Sequence, residues 1–141
     1  MTPDQLELIA TSAGQATAEP RTFAESFYGH LFEIAPAVRP LFSDDLSEQY
    51  GKLVGELAFL AGAARDLETF SSRAHDLGKR HASYGVSSEM FEPVRASLVH
   101  APRGGLGEAW TVEHEAAWTS LFHLIAQIML DGATEASFSA G

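Results

Sequence analysis

Between Leu6 and Ile128 the apolar residues recur at three- and four-residue spacing, and no stretch alternates with the period of two that a half-buried strand requires. A chain patterned this way must bury helix stripes against one another. Thr2-Pro3-Asp4-Gln5 reads as an N-cap, a proline at the first helical position and a glutamine closing a capping box. Leu6, Ile9, Ala10 and Ala13 then share a face, with Gly14 weakening its end. Glu19-Pro20 opens a second helix carrying Phe23, Phe27, Leu31 and Ile34. Pro36 and Pro40 predict a break followed by a short tight helical piece.

After the cap cluster Ser43-Asp44-Asp45, residues 46–64 align Leu46, Leu53, Leu57 and Leu60, and residues 68–82 align Phe70, Ala74, Leu77 and His81. Ser87-Ser88 is expected to open the next helix, with Phe91, Val94 and Leu98 inward and Pro93 tolerated near its start. Residues 102–107, PRGGLG, read as a flexible connection. Thr111 caps a last helix that buries Trp118, Leu121, Phe122, Ile125 and Ile128 and stops at Gly132, leaving a frayed tail. The expectation is one all-α domain over residues 1–141, with six or seven irregularly connected helices, a folded-over globule rather than a four-helix bundle.

A formal charge of −10, from 9 Lys+Arg against 19 Asp+Glu, repels nucleic acid and anionic lipid, and the basic residues are too scattered to track phosphates. With no cysteine, disulfides, thiolate zinc sites, cysteine-held clusters and a thiolate nucleophile are excluded. The start, MTPDQLELIA, does not read as a signal peptide, and the longest apolar run, residues 121–130, is too short and polar to span a membrane. A cytoplasmic protein is expected.

Of six histidines, only His81 continues an otherwise apolar stripe. His75 and His123 share faces with polar residues, His100 neighbours Ala96 and Ser97, His30 faces Ser26 and Glu33 as readily as the core, and His114 lies in a first helical turn. One reading of His81 is a core imidazole satisfied by a backbone carbonyl or by Ser83 or Ser87. A lone inward histidine is not a zinc site, which needs three or four protein ligands. It could instead serve a metal whose other ligands arrive with a cofactor, as in haem. Haem demands apolar walls, cations for its propionates and a polar group on the open face. Gln49 and Leu53 share a helix face with Lys52 beside them, Tyr28 follows Phe27, and Phe42 closes the proline-flanked piece.

In order along the chain these residues resemble the globin family, most of all the bacterial single-domain haemoglobins and the haem domain of flavohaemoglobins. The likeness runs from about Phe27 to Met129, carried by FYGHLFEIAPAVRPLF (27–42), LGKRHASYGV (77–86) and EHEAAWTSLFHLIAQIM (113–129). The latter two also resemble neuroglobin, while Tyr28 and Gln49 point to the bacterial group. The resemblance implies a globin fold of six to eight helices around a pocket for haem b, iron protoporphyrin IX. It makes His81 the proximal iron ligand, Tyr28 and Gln49 the distal polar pair, and Leu53 the apolar residue one turn beyond. Phe42 would pack on the haem face, Lys52 and Arg80 would meet the propionates, and Leu77, Val86 and Phe91 would wall the proximal side.

The implied activity is reversible binding of dioxygen, for storage or transport, or for oxidising nitric oxide to nitrate. Flavohaemoglobins place a tyrosine and a glutamate behind the proximal histidine where this chain has Phe91 and, by an ungapped match, Ala133. No flavin or nicotinamide module follows, so turnover is expected to need a separate reductase, which the acidic surface would attract if that partner is basic. A gas sensor and a haem-free helical interaction module are the alternatives.

Overall fold

The structure, a computed structural model, describes residues 2–63, 66–83 and 90–140. Among them are six α-helices: α1 (Pro3–Ala16), α2 (Pro20–Ile34), α3 (Ser47–Ala63), α4 (Leu67–Ser83), α5 (Phe91–Leu106) and α6 (Val112–Ala140). Pro36–Leu41 and Gly107–Ala109 form 3₁₀ segments, and the described residues contain no strand. This is the all-α class that the periodicity predicts. The expected helix start at Ser87-Ser88 lies outside the described residues.

Caps set several helix starts. At α1 the Gln5 N–H donates to Thr2 Oγ1 (3.1 Å) while the Thr2 N–H donates to Gln5 Oε1 (3.0 Å), a complete capping box. At α3 Asp45 Oδ1 accepts the Ser47 N–H at 2.9 Å. At α6 Thr111 Oγ1 accepts the His114 N–H (3.3 Å), and His114 Nδ1 accepts the Thr111 N–H (3.1 Å). An imidazole thus fills the place of the usual Glu or Gln, and it stacks on Trp110.

Three sequence expectations give way to packing. Helix α1 runs two residues past Gly14 to Ala16, and its buried face is Ile9, Ser12, Ala13 and Ala16, with Ala10 exposed rather than inward. Residues 102–106 are helical rather than a loose connection. Pro102 is buried, and Gly105 lies where α5 crosses the end of α1, so that a Cβ there would stand 3.3 Å from the Ala16 Cα. The small residues serve close approach, and the helix ends at Gly107, whose φ of 56° belongs to the left-handed region. Nor does Gly132 stop α6, which continues to Ala140. Gly132 is buried, and a side chain on it would collide with the backbone carbonyl of His75. Gly78 of α4 meets the Met129 carbonyl of α6 in the same way, so two helix backbones touch with nothing between them.

The helices pack about a core in which Trp118, Phe70, Ile9 and Leu121 are fully buried. The α4–α6 pair makes the most extensive contact and α2–α5 the next. Trp118 Nε1 donates to Ser12 Oγ at 2.9 Å, and Ser12 Oγ donates to the Leu8 carbonyl at 2.6 Å, so the buried polar atoms joining α1 to α6 are satisfied. No helix among the described residues is long and apolar enough to cross a membrane. Replacing Gly132 by Ala should destabilise the protein by about 1–3 kcal/mol through overpacking, despite the better helix propensity of alanine. Urea denaturation measures this; a gain in stability refutes the role assigned to the glycine.

Candidate functional site

Residues Gln49, Leu53 and Glu56 recur at four and three along α3 and therefore share one face. Gln49 Nε2 donates to Tyr28 Oη at 2.9 Å, joining α3 to α2. The phenol oxygen accepts, so its own proton is left to be donated elsewhere. Tyr28 is buried within an aromatic cluster: Phe27 and Phe42 meet it edge-on at 5.0 and 5.5 Å, and Phe32 and Tyr50 lie tilted at 5.8 Å. Burial pushes the Tyr28 phenol up to about 12, opposed by the Gln49 hydrogen bond and reinforced by Tyr50. It is therefore a neutral donor throughout the physiological range.

Arg39 was not singled out by sequence pattern, yet it builds the turn that presents Phe42. Its guanidinium donates to the carbonyls of Phe42 (3.3 Å), Ser43 (3.0 Å) and Asp44 (3.2 Å) and lies over the Phe32 ring at 5.1 Å. Bonds from a side chain to irregular backbone leave no periodic trace in a sequence.

On α4, His81 Nδ1 lies 2.7 Å from the Leu77 carbonyl. A carbonyl only accepts, so Nδ1 carries the proton and the Nε2 of the neutral ring carries the lone pair, the tautomer a metal needs. Burial holds the His81 pKa below that of an ordinary histidine, against the Leu77 carbonyl, which pulls it up. The ring is accordingly neutral at pH 7. Among the described residues no three His, Asp or Glu side chains gather as a metal-ion cluster. The donor set suits a metal that brings most of its own ligands.

Apolar exposure supports the same fit. Leu57, Leu60, Phe70 and Ala74 are buried, whereas Leu53, Leu77 and His81, on the same two stripes, are only half-buried. Phe42 and Phe91 are half-buried too, with Phe91 edge-on to Phe122 at 6.4 Å. A flat apolar group between α3 and α4 would cover side chains that the protein leaves partly open.

The structure thus assembles Tyr28, Gln49 and Phe42 as one set and Leu77 and His81 as another. Val86 lies outside the described residues. Both expected propionate cations are engaged by glutamates of α3: Lys52 Nζ lies 3.8 Å from Glu48, and Arg80 Nη2 lies 3.6 Å from Glu56. His30, which the sequence left between core and solvent, has Nδ1 3.0 Å from Ser97 Oγ. Because the Ser97 hydroxyl donates to the Pro93 carbonyl (2.9 Å), His30 is the donor of that pair, and its ring stacks on His100 at 4.1 Å.

Comparison with known proteins bears on the family and the fold. A family model described as Globin matches residues 25–129. The chain is 27% identical over 128 residues to anaerobic nitrite reductase NSHB5 of Oryza sativa subsp. japonica, covering 86% of this chain and 88% of that protein. It is 27% identical over 119 residues to neuroglobin of Danio rerio, covering 74% and 75%. The fold superposes on a bacterial globin from Campylobacter jejuni with a TM-score of 0.82 at 22% identity, covering 95% of this chain and 97% of that one. An engineered carbene transferase, RmaNOD, from a candidate nitric oxide dioxygenase of Rhodothermus marinus gives 0.83 at 20% identity, covering 99% and 96%.

The unfolded phenol ionises near pH 10 and the folded Tyr28 near 12, so the native state holds that proton more tightly and stability falls as pH rises across this window. Tyr28→Phe should remove a late-ionising phenol from the 295 nm absorbance titration. An unchanged titration curve contradicts the burial of the hydroxyl.

Proposed function

Because this chain belongs to the globin family, we propose that it holds haem b through His81 and binds dioxygen reversibly beneath Tyr28 and Gln49. Haem supplies a ferrous iron that takes a diatomic gas. The remaining work falls to the protein. Leu77 fixes the His81 tautomer and ring orientation through Nδ1, directing Nε2 outward from the helix. Phe42, Leu53, Leu77, Val86 and Phe91 are assigned the apolar walls, and Lys52 and Arg80 the propionate edge. The apolar walls keep water from competing with the distal hydrogen bond.

The observation that carries the reading is the direction of the Gln49–Tyr28 bond. Gln49 spends its amide proton on the phenol oxygen, which orients the ring and leaves the phenolic proton for a gas ligand that accumulates negative charge. A buried bond of this kind contributes about 1.5–3 kcal/mol, which slows gas release roughly 10- to 150-fold if it acts wholly on dissociation.

The pocket is further assigned the oxidation of nitric oxide to nitrate. A separate reductase would return the iron to its ferrous state, drawn to the chain by the net charge of −10. The fold likeness to a protein described as a candidate nitric oxide dioxygenase is in keeping with this activity. Stopped-flow mixing of the oxygenated protein with nitric oxide tests it, and slow or absent nitrate formation leaves gas storage or transport.

The purified protein should show a strong Soret band that His81→Ala loses. A colourless protein that takes up no added haem would leave only the haem-free interaction module. Tyr28→Phe should raise the oxygen dissociation rate by roughly 10- to 150-fold, measured by stopped flow. An unchanged rate would remove Tyr28 from the distal site.

A further inference from the structure

Glu56 takes no part in the gas chemistry, yet it is a half-buried carboxylate on the helix that carries Gln49, paired with arginines of the helix that carries His81. It lies on α3 seven residues after Gln49 and three after Leu53, on the face that carries them. Its side chain is only 19% exposed and receives two arginines from α4. Arg73 grips it as a fork, with Nε 3.1 Å from both carboxylate oxygens and Nη2 2.7 Å from Oε1. Arg80 adds a longer contact, Nη2 to Oε1 at 3.6 Å. The Arg73 guanidinium also lies over the ring of Phe59, three residues beyond Glu56, at 4.6 Å.

Among the described residues this linkage stands where the two helices pack only lightly against each other. α4 spends most of its packing on α6, and α3 and α4 meet only sparsely. We propose that Glu56 is a positioning residue that sets the gap between the helix bearing Gln49 and the helix bearing His81, and so governs how firmly the haem is held. The proposal rests on the haem-binding reading above. Arg73 supplies a rigid bidentate grip that a lysine cannot reproduce. Arg80 immediately precedes His81, so the carboxylate that ties α3 to α4 also restrains the turn presenting the imidazole. It competes with a propionate for the same guanidinium, which makes Glu56 the partner that decides how far Arg80 reaches toward the cofactor edge.

The test measures haem transfer from the loaded protein to excess apomyoglobin. Glu56→Gln, nearly isosteric, should lose haem roughly 3- to 10-fold faster, and Arg73→Lys should fall between it and the wild type. The Glu56→Gln/Arg73→Lys double variant should lose haem no faster than Glu56→Gln alone, since both substitutions act on the same Glu56–Arg73 linkage. The iron–imidazole stretching band should shift in Glu56→Gln, while far-UV circular dichroism and the melting temperature of the apoprotein stay close to wild type. Additive single effects, or a lowered apoprotein melting temperature with unchanged haem transfer, would overturn the proposal. A wild type without a Soret band overturns the haem reading and this inference with it. A haem-loaded wild type whose variants transfer haem at the parental rate overturns this inference alone.

Discussion

The direct backbone contact between α4 and α6 is the constraint on which the site depends. Gly78 against Met129 and Gly132 against His75 let the two helices touch without intervening side chains. That contact sets the rotation of α4 about its axis. With Gly78 facing α6, the helical repeat turns Arg73 and Arg80 to the far side and leaves Leu77 and His81 on an intermediate face. A β-carbon at either glycine would push α4 outward or roll it, and the imidazole would move with it. Glycine is a poor helix former, and here that cost is accepted within helices for geometry that no other residue permits.

Much of the fold was legible because the signals were local and periodic. The capping box at Thr2 and Gln5, the proline-flanked turn and the stripes of α3 and α4 follow from short-range rules. The misreadings share one cause. Pro102, Gly104, Gly105 and Gly132 are helix breakers by propensity, yet Pro102 is buried, and Gly105 and Gly132 lie where one helix crosses another closely, so tertiary packing overrides local preference. Spacing alone puts Ala10 inward, whereas α1 buries Ser12, whose hydroxyl has three partners.

The site divides in the same manner. His81 stood out as the polar residue on an apolar stripe, and Tyr28 and Gln49 through the company they keep; their mutual bond is a tertiary fact 21 residues apart. The clamping residues were invisible. Glu56, Arg73 and Arg39 carry no pattern that separates them from solvated charges, because their importance comes from which carboxylate or carbonyl lies opposite. Arg80 enters only through the resemblance, as an expected propionate partner, and its carboxylate on α3 leaves no signal in the sequence.

The indole–serine–carbonyl relay between α6 and α1 has a bearing on how such chains can diverge. The family match begins at residue 25, beyond α1, yet α1 is anchored by a buried donor whose only described acceptor is Ser12. Evolutionary drift at position 12 is therefore not free: losing the hydroxyl strands an indole proton in the interior, unless position 118 changes in step. The first helix behaves as a docked key with one admissible notch, and a fusion or truncation that displaced it would expose a mismatch deep in the protein rather than trim its edge.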